Sequence, residues 1–240
     1  MSSRRERRSQ ARGTHVASGT HRARGGPRPL FRRPAVLLVS ALALVIAIAL
    51  IALGGVDTSG SSRVGDVPGV RVSGNALGSD TAPVTVEVWS DYQCPFCRLF
   101  AQGAQRELIR TEVAQGQVRL VHRDLAFLGP ESELAAQAAD CAGEQNRYFD
   151  YYDRLFAEQQ GENRGTYSKD ALKRFAVQLG LTPLFNACLD SGRYAAEVQA
   201  DRAEGNQKGI RSTPTLLVNG KKFEGNLGIA ELRRIIDAAR

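Results

Sequence analysis

Two cysteines separated by two residues, Cys94-Pro95-Phe96-Cys97, are the side chains of this chain best suited to chemistry. A thiolate is a strong nucleophile, and a second thiol three positions on can close a small disulfide ring with it. The residues that follow, RLFAQGAQRELIRTEV, read as one long helix, so Cys94 falls at or just before its N-terminus. There, free backbone N–H groups and the helix macrodipole favour an anion. Pro95 suits the first turn because it has no N–H in need of a partner. The arrangement predicts a lowered pKa for Cys94, the exposed attacking sulfur, with Cys97 as its resolving partner. Each tenfold of selective thiolate stabilisation is worth about 1.4 kcal/mol, or about 30 mV toward a more oxidising couple.

A bare CxxC is a weak signal by itself, because it is also half of a zinc site. Zinc would need two further ligands, and the sequence offers no second CxxC and no HxxxH. His122 is the only histidine outside the first 34 residues. The other competitor is a purely structural bridge, which in so small a ring constrains little of the unfolded chain.

The elements around the motif have legible patterns. Val84 to Trp89 (VTVEVW) is a β-branched run that reads as a buried strand feeding the motif. Val118 to His122 reads as a second strand, giving a strand–helix–strand unit with a parallel pair. From Glu131 to about Gln207 the periodicity is helical, with Ser168 and Thr182 as candidate N-caps. Strands return at Thr215 to Val218 and Lys221 to Phe223 around the turn Asn219-Gly220, a strong hairpin signal. Leu232, Ile235, Ile236 and Ala239 mark a closing amphipathic helix. The order predicts one α/β domain over residues 70–240, interrupted by an inserted all-helical subdomain at about 130–208.

The remaining chain bears on location. Residues 1–34 hold ten arginines and one acid, Glu6, while the other 206 residues carry 22 basic and 24 acidic side chains. The net charge of +7 therefore belongs to a basic tail, and nucleic acid is not an expected partner of the domain. Residues 35–53 (AVLLVSALALVIAIALIAL) have Ser40 as their only polar interruption. As a helix they would span roughly 28 Å, close to a hydrocarbon core. They read as a single transmembrane anchor with the arginine flank cytoplasmic and everything beyond Gly54 outside the cytoplasm. A cleaved signal peptide is the competing reading; its apolar core is usually about 7–15 residues. Both place the domain in an oxidising compartment, and residues 54–69, rich in Gly, Ser and Asp, read as a flexible tether. In that setting Cys141 and Cys188, both in helical segments, are expected to pair and brace the insertion; two separate buried thiols are the alternative.

The stretch from Gly78 to Ala101, GSDTAPVTVEVWSDYQCPFCRLFA, resembles the DsbA-like thiol:disulfide oxidoreductases, particularly the membrane-tethered ones. The similarity continues through Ala135 to Phe156 and Ser212 to Gly225. The resemblance implies a thioredoxin fold with a helical insertion, acting outside the cytoplasm on reduced exported proteins. It implies no cofactor and no metal beyond the Cys94–Cys97 disulfide, with a quinone-linked membrane protein as electron acceptor. It assigns Cys94 as nucleophile and Cys97 as its partner, and makes Thr213-Pro214 the loop facing them, with Pro214 cis. Such a bond is cheap only before proline, and Thr213 is then placed to pair with an extended substrate peptide. Two departures stand out: Phe96 occupies the position where DsbA has histidine, and threonine replaces valine before the proline, as in isomerase relatives. A reductase or isomerase kept reduced by a membrane donor, or a tethered peptide-binding module with a structural CxxC, are the alternative functions. Glu87 is the candidate buried acid for moving protons at Cys97, although its spacing to Cys94 is one residue longer than in the family; a half-exposed position at the strand end is the competing reading. Asp91 is expected to cap the turn before the motif, and Trp89 to be a core residue near the cysteines.

Overall fold

The computed structural model describes residues 67–181 and 183–240. The basic tail, the apolar run 35–53, nearly all of the tether and the candidate cap Thr182 lie outside the described residues. Among the described residues no helix is long and apolar enough to cross a membrane.

The sheet is built from β1 (Val72–Ser73), β2 (Ala76–Leu77), β3 (Val84–Ser90), β4 (Val118–Asp124), β5 (Thr215–Val218) and β6 (Lys221–Glu224), in the order β1-β2-β4-β3-β5-β6. β3 and β4 are parallel, Val84 opposite Val118 and Ser90 opposite Asp124. The crossover between them holds α1 (Pro95–Gln102), α2 (Ala104–Leu108) and a π-helical stretch (Ile109–Val113). The single helix expected here is broken at Gly103, whose φ and ψ of −107° and −106° leave the helical region while its N–H still bonds the Leu99 and Phe100 carbonyls. β5 runs antiparallel to β3, and β6 pairs with β5 through the Asn219-Gly220 turn, where φ is positive at both residues. Between β4 and β5 stand α3 (Pro130–Gly143), α4 (Tyr148–Glu158), α5 (Lys169–Gln178), α6 (Leu184–Ser191) and α7 (Ala195–Gln207); α8 (Ile229–Asp237) closes the chain. Ser168 stands at the start of α5, yet its hydroxyl donates backward to the Gly165 carbonyl instead of capping the helix.

The two faces of the sheet are covered unequally. Val84, Val86 and Val88 join the main core with Phe100, Leu108, Leu120, Leu216, Leu232 and Ile236. Strand side chains alternate, so Thr85, Glu87 and Trp89 face the other way. There Trp89 forms a small cluster with Leu125, Ile210 and Leu217, under an α7 that comes close only because Gly205 has no side chain: a Cβ there would lie 2.6 Å from Leu125 Cδ1. β3 is therefore fully buried on one face and half-covered on the other.

Candidate active site

β3 ends at Ser90 and the chain turns through Asp91, Tyr92 and Gln93, all buried, into α1. Asp91 holds this turn. Its Oδ1 accepts from Gln93 N–H at 2.8 Å and the Ser132 hydroxyl at 2.6 Å, and its Oδ2 from the N–H groups of Phe127 and Leu128 at 2.9 and 3.0 Å. Burial pushes its carboxyl pKa up against those four bonds. The residue is thus a buried turn cap, as its type suggested.

Cys94 sits at the N-cap of α1 with extended backbone, and Pro95 opens the helix. The two cysteines stand as free thiols, and Cys94 is less open than expected: 6% of its surface is exposed, against 1% for Cys97. Cover comes from the opposite loop. The Thr213-Pro214 peptide is cis, and the Cys94 sulfur lies 3.3 Å from the Thr213 carbonyl oxygen, to which it can donate only while protonated. The sheet register brings them together, since Thr215 pairs with Trp89 at the end of β3, one residue beyond Pro214. Phe96 and Leu99 project from the same helix to solvent, 58% and 53% exposed, an apolar rim beside the sulfur.

The two thiols are electrostatically opposed. The Cys97 thiol, then a Thr213 side-chain hydrogen bond, and last the backbone N–H groups of Cys97 and Phe96 bring Cys94 down from 9.0 to about 6 despite partial burial. Burial, followed by the neighbouring Cys94, pushes Cys97 well up, against contacts from Ser90 and the Asp91 backbone. One sulfur is therefore an anion at neutral pH and the other a thiol poised to donate to it.

Glu87 is not brought to this pair. Ser90, which reaches Cys97, shares the face of Val88, and Glu87 lies on the opposite face of β3, half-buried beside Arg119 and Arg123. The proton-relay role expected of it is corrected by that alternation. Trp89 is likewise turned away from the cysteines, under the Arg123 guanidinium at 5.0 Å. His122 is a core residue: burial first, and then Arg123, lowers its pKa to about 3, and Nδ1 lies 2.7 Å from the Tyr148 hydroxyl. Cys141 and Cys188 form a disulfide, Cα atoms 5.8 Å apart, joining α3 to α6. Among the described residues no group of three or more His, Cys, Asp or Glu is arranged to hold a metal.

Residues of the insertion that touch the redox turn carried no signal in the sequence. Gln93 donates to Ser132 at 2.8 Å and accepts from Asn163 N–H. Gln159 donates to the carbonyls of Tyr92 and Cys94, and the Tyr167 hydroxyl lies 3.1 Å from the Tyr92 carbonyl. Polar residues at helix ends and in loops have no periodicity to betray a buried role.

Residues 71–238 match a family model described as thioredoxin. The disulfide bond formation protein D of Bacillus subtilis is 26% identical over 182 residues, covering 74% of this chain and 82% of that protein. The crystal structure of oxidised BdbD from Bacillus subtilis aligns with a TM-score of 0.64 at 25% identity, over 70% of this chain and 92% of that one. The chain is also 31% identical over 162 residues to a Na(+)/H(+) antiporter NhaA of Salinispora arenicola, a match that takes in 68% of this chain but spans only about a quarter (24%) of that longer protein. With its matched sheet, its cysteine pair at a helix start and its facing cis-proline, the chain belongs to the thioredoxin family, among the DsbA-like thiol:disulfide oxidoreductases.

Proposed function

We propose that this protein is an extracytoplasmic thiol:disulfide oxidase that introduces disulfides into reduced exported proteins. The observation that carries this reading is the placement of the two sulfurs: Cys94 stands at the N-cap of α1 against the cis-proline loop, which brings its pKa down, and Cys97 is buried one turn further in, which pushes its pKa well up. Stabilising the Cys94 thiolate favours the reduced enzyme, which makes its disulfide the better oxidant. In the bridged protein a substrate thiolate attacks Cys94 Sγ; the bond to Cys97 breaks, and Cys97 departs as a thiolate that takes up a proton. A second substrate thiolate attacks the substrate sulfur of the mixed disulfide, and Cys94 leaves as a thiolate. The substrate has lost two electrons and two protons, one proton now on Cys97 and the other in solvent, and the enzyme is left reduced, Cys94 as thiolate and Cys97 as thiol. The carbonyl of Thr213, the residue before the cis-proline, faces Cys94 and suits an extended peptide laid beside the disulfide. Phe96 and Leu99 offer an apolar rim to unfolded chains.

The apolar run 35–53 would tether the domain to the cell membrane with its N-terminus cytoplasmic. A quinone-linked membrane protein would reoxidise the dithiol. Acid quenching of cells followed by thiol alkylation reads the redox state of Cys94 and Cys97 directly. A mostly bridged pair is expected. A mostly reduced pair reverses the direction of electron flow, and the protein is then a reductase or isomerase.

A further inference from the structure

The peptide group that carries the nucleophile is clasped from outside its own helix. The Cys94 carbonyl accepts the Arg98 N–H at 3.2 Å, within the first turn of α1, and also the side-chain amide of Gln159 at 3.0 Å. The same Gln159 Nε2 donates to the Tyr92 carbonyl at 2.6 Å. Gln159 immediately follows α4, is only 7% exposed, and returns its own backbone carbonyl to Arg98 Nη1 at 3.2 Å. The clasp is reciprocal: the insertion holds the start of α1, and α1 holds the end of α4.

We propose that Gln159 is a positioning residue for the Cys94 thiolate, its side-chain amide fixing the Tyr92 and Cys94 peptide groups so that the first turn of α1 presents its free N–H groups to the sulfur. This rests on the reading of Cys94 as the nucleophile. Pro95 supplies no N–H, so the donors of the first turn begin at Phe96, and few are available to an anion at the N-cap. Rotation of the Cys94–Pro95 peptide would carry the sulfur off those donors. The amide also sits on the carbonyl of the thiolate's own residue, where it offsets the negative end of that dipole. Neither carbonyl loses its last partner without Gln159. Cys94 keeps the Arg98 N–H, and Tyr92 keeps its share of the Tyr167 hydroxyl, which lies 3.1 Å from it and 2.8 Å from the Leu155 carbonyl. A variant lacking the amide should therefore still fold.

Gln159→Met in the full chain keeps the side-chain length and loses both donors. Followed by the ultraviolet absorbance of the thiolate in reduced protein, Cys94 should titrate higher. The thiolate-to-thiol ratio on the rising part of the curve should fall about fivefold, the scale of one net hydrogen bond. The equilibrium with glutathione should move by the same factor toward the bridged form. Gln159→Glu, which places a negative charge there, should move both quantities further in the same direction and decides the matter if the Met variant does not fold. Tyr167→Phe removes the hydroxyl shared by the Tyr92 and Leu155 carbonyls; it should lower Tm and leave the titration in place. The proposal is overturned if the Gln159 variants lose Tm as Tyr167→Phe does while Cys94 titrates as in the unaltered protein. Should unaltered Cys94 itself titrate like an ordinary thiol, both this proposal and the oxidase reading fall; a low unaltered midpoint that no Gln159 variant moves sinks the proposal alone.

Discussion

Cys94 and Cys97 lie three positions apart at the start of a helix, whereas Cys141 and Cys188 join two helices of the insertion across 47 positions. Both pairs are buried, so exposure is not what separates them. The difference is in what the backbone offers each sulfur. Cys94 occupies an N-cap, where the N–H groups of Phe96 and Cys97 are free to face it. Cys141 lies late in α3 and Cys188 within α6, past the first turn of each, where helical N–H groups are already spent on carbonyls. Nothing there favours a thiolate, and a bridge in that setting has no good leaving sulfur. One pair is built to pass its bond on and the other to keep it.

The sharpest way to break that contrast is substitution of each pair in turn. Cys94→Ser should reduce thiol–disulfide exchange to the uncatalysed background while costing no more than about 1 kcal/mol of stability, typical of a near-isosteric change. Exchange that survives would remove Cys94 from its role, and a variant that loses exchange yet still captures unfolded peptides is what a binding module would give. Replacing both Cys141 and Cys188 by alanine should do the reverse. Opening a loop of that length is worth at most about 4 kcal/mol in the chain-entropy model, or roughly 10 °C in Tm. Exchange below the new melting point should stay within about twofold of the original. A collapse of exchange in the cold, folded double variant would mean that the two pairs are coupled.

The pH dependence sharpens the contrast further. Alkylation of Cys94 by a neutral reagent tracks its thiolate, so the rate should fall about tenfold between pH 7 and pH 5 with a midpoint near 6. An unperturbed thiol would fall about a hundredfold over the same range. Cys94 is depressed in the fold relative to its ordinary value of 9.0. The reduced protein therefore gains stability over the bridged form as pH rises from about 6 to about 9, and loses it as pH falls through about 6. Calorimetry of both forms across that window reads the sign directly. The smallest effect should come from Glu87→Gln, which lies across the sheet from the cysteines. It should leave the pH profile of exchange within about twofold, and a displaced profile would restore the relay role that the strand alternation removes.

Some of this site was legible in local sequence because local rules produce it. The run Val84 to Trp89 is β-branched and bounded by turn formers, and the strand forms there. A proline after Cys94 marks a first helical turn, and the Asn219-Gly220 pair marks a two-residue hairpin. Other features had no local signature. β1 and β2 are two residues each, too short for any alternation to show. The break at Gly103 interrupts a pattern that remains apolar on one face. Glu87 was ambiguous because a buried strand and a half-exposed strand end read alike in the run Val84 to Trp89, and only the packing of α7 reveals that its face is half-covered.

What the sequence determined by itself is the order of elements and the meeting of a thiol with a helix start, because caps, turns and alternation act over a few residues and need no distant partner. What the tertiary structure alone decided is the environment that makes the two sulfurs unequal. The Thr213 carbonyl lies 119 positions from Cys94, and the Gln159 amide 65. Burial, carbonyl orientation and the supply of free N–H groups depend on which segments fold against one another, and no short window of sequence contains them.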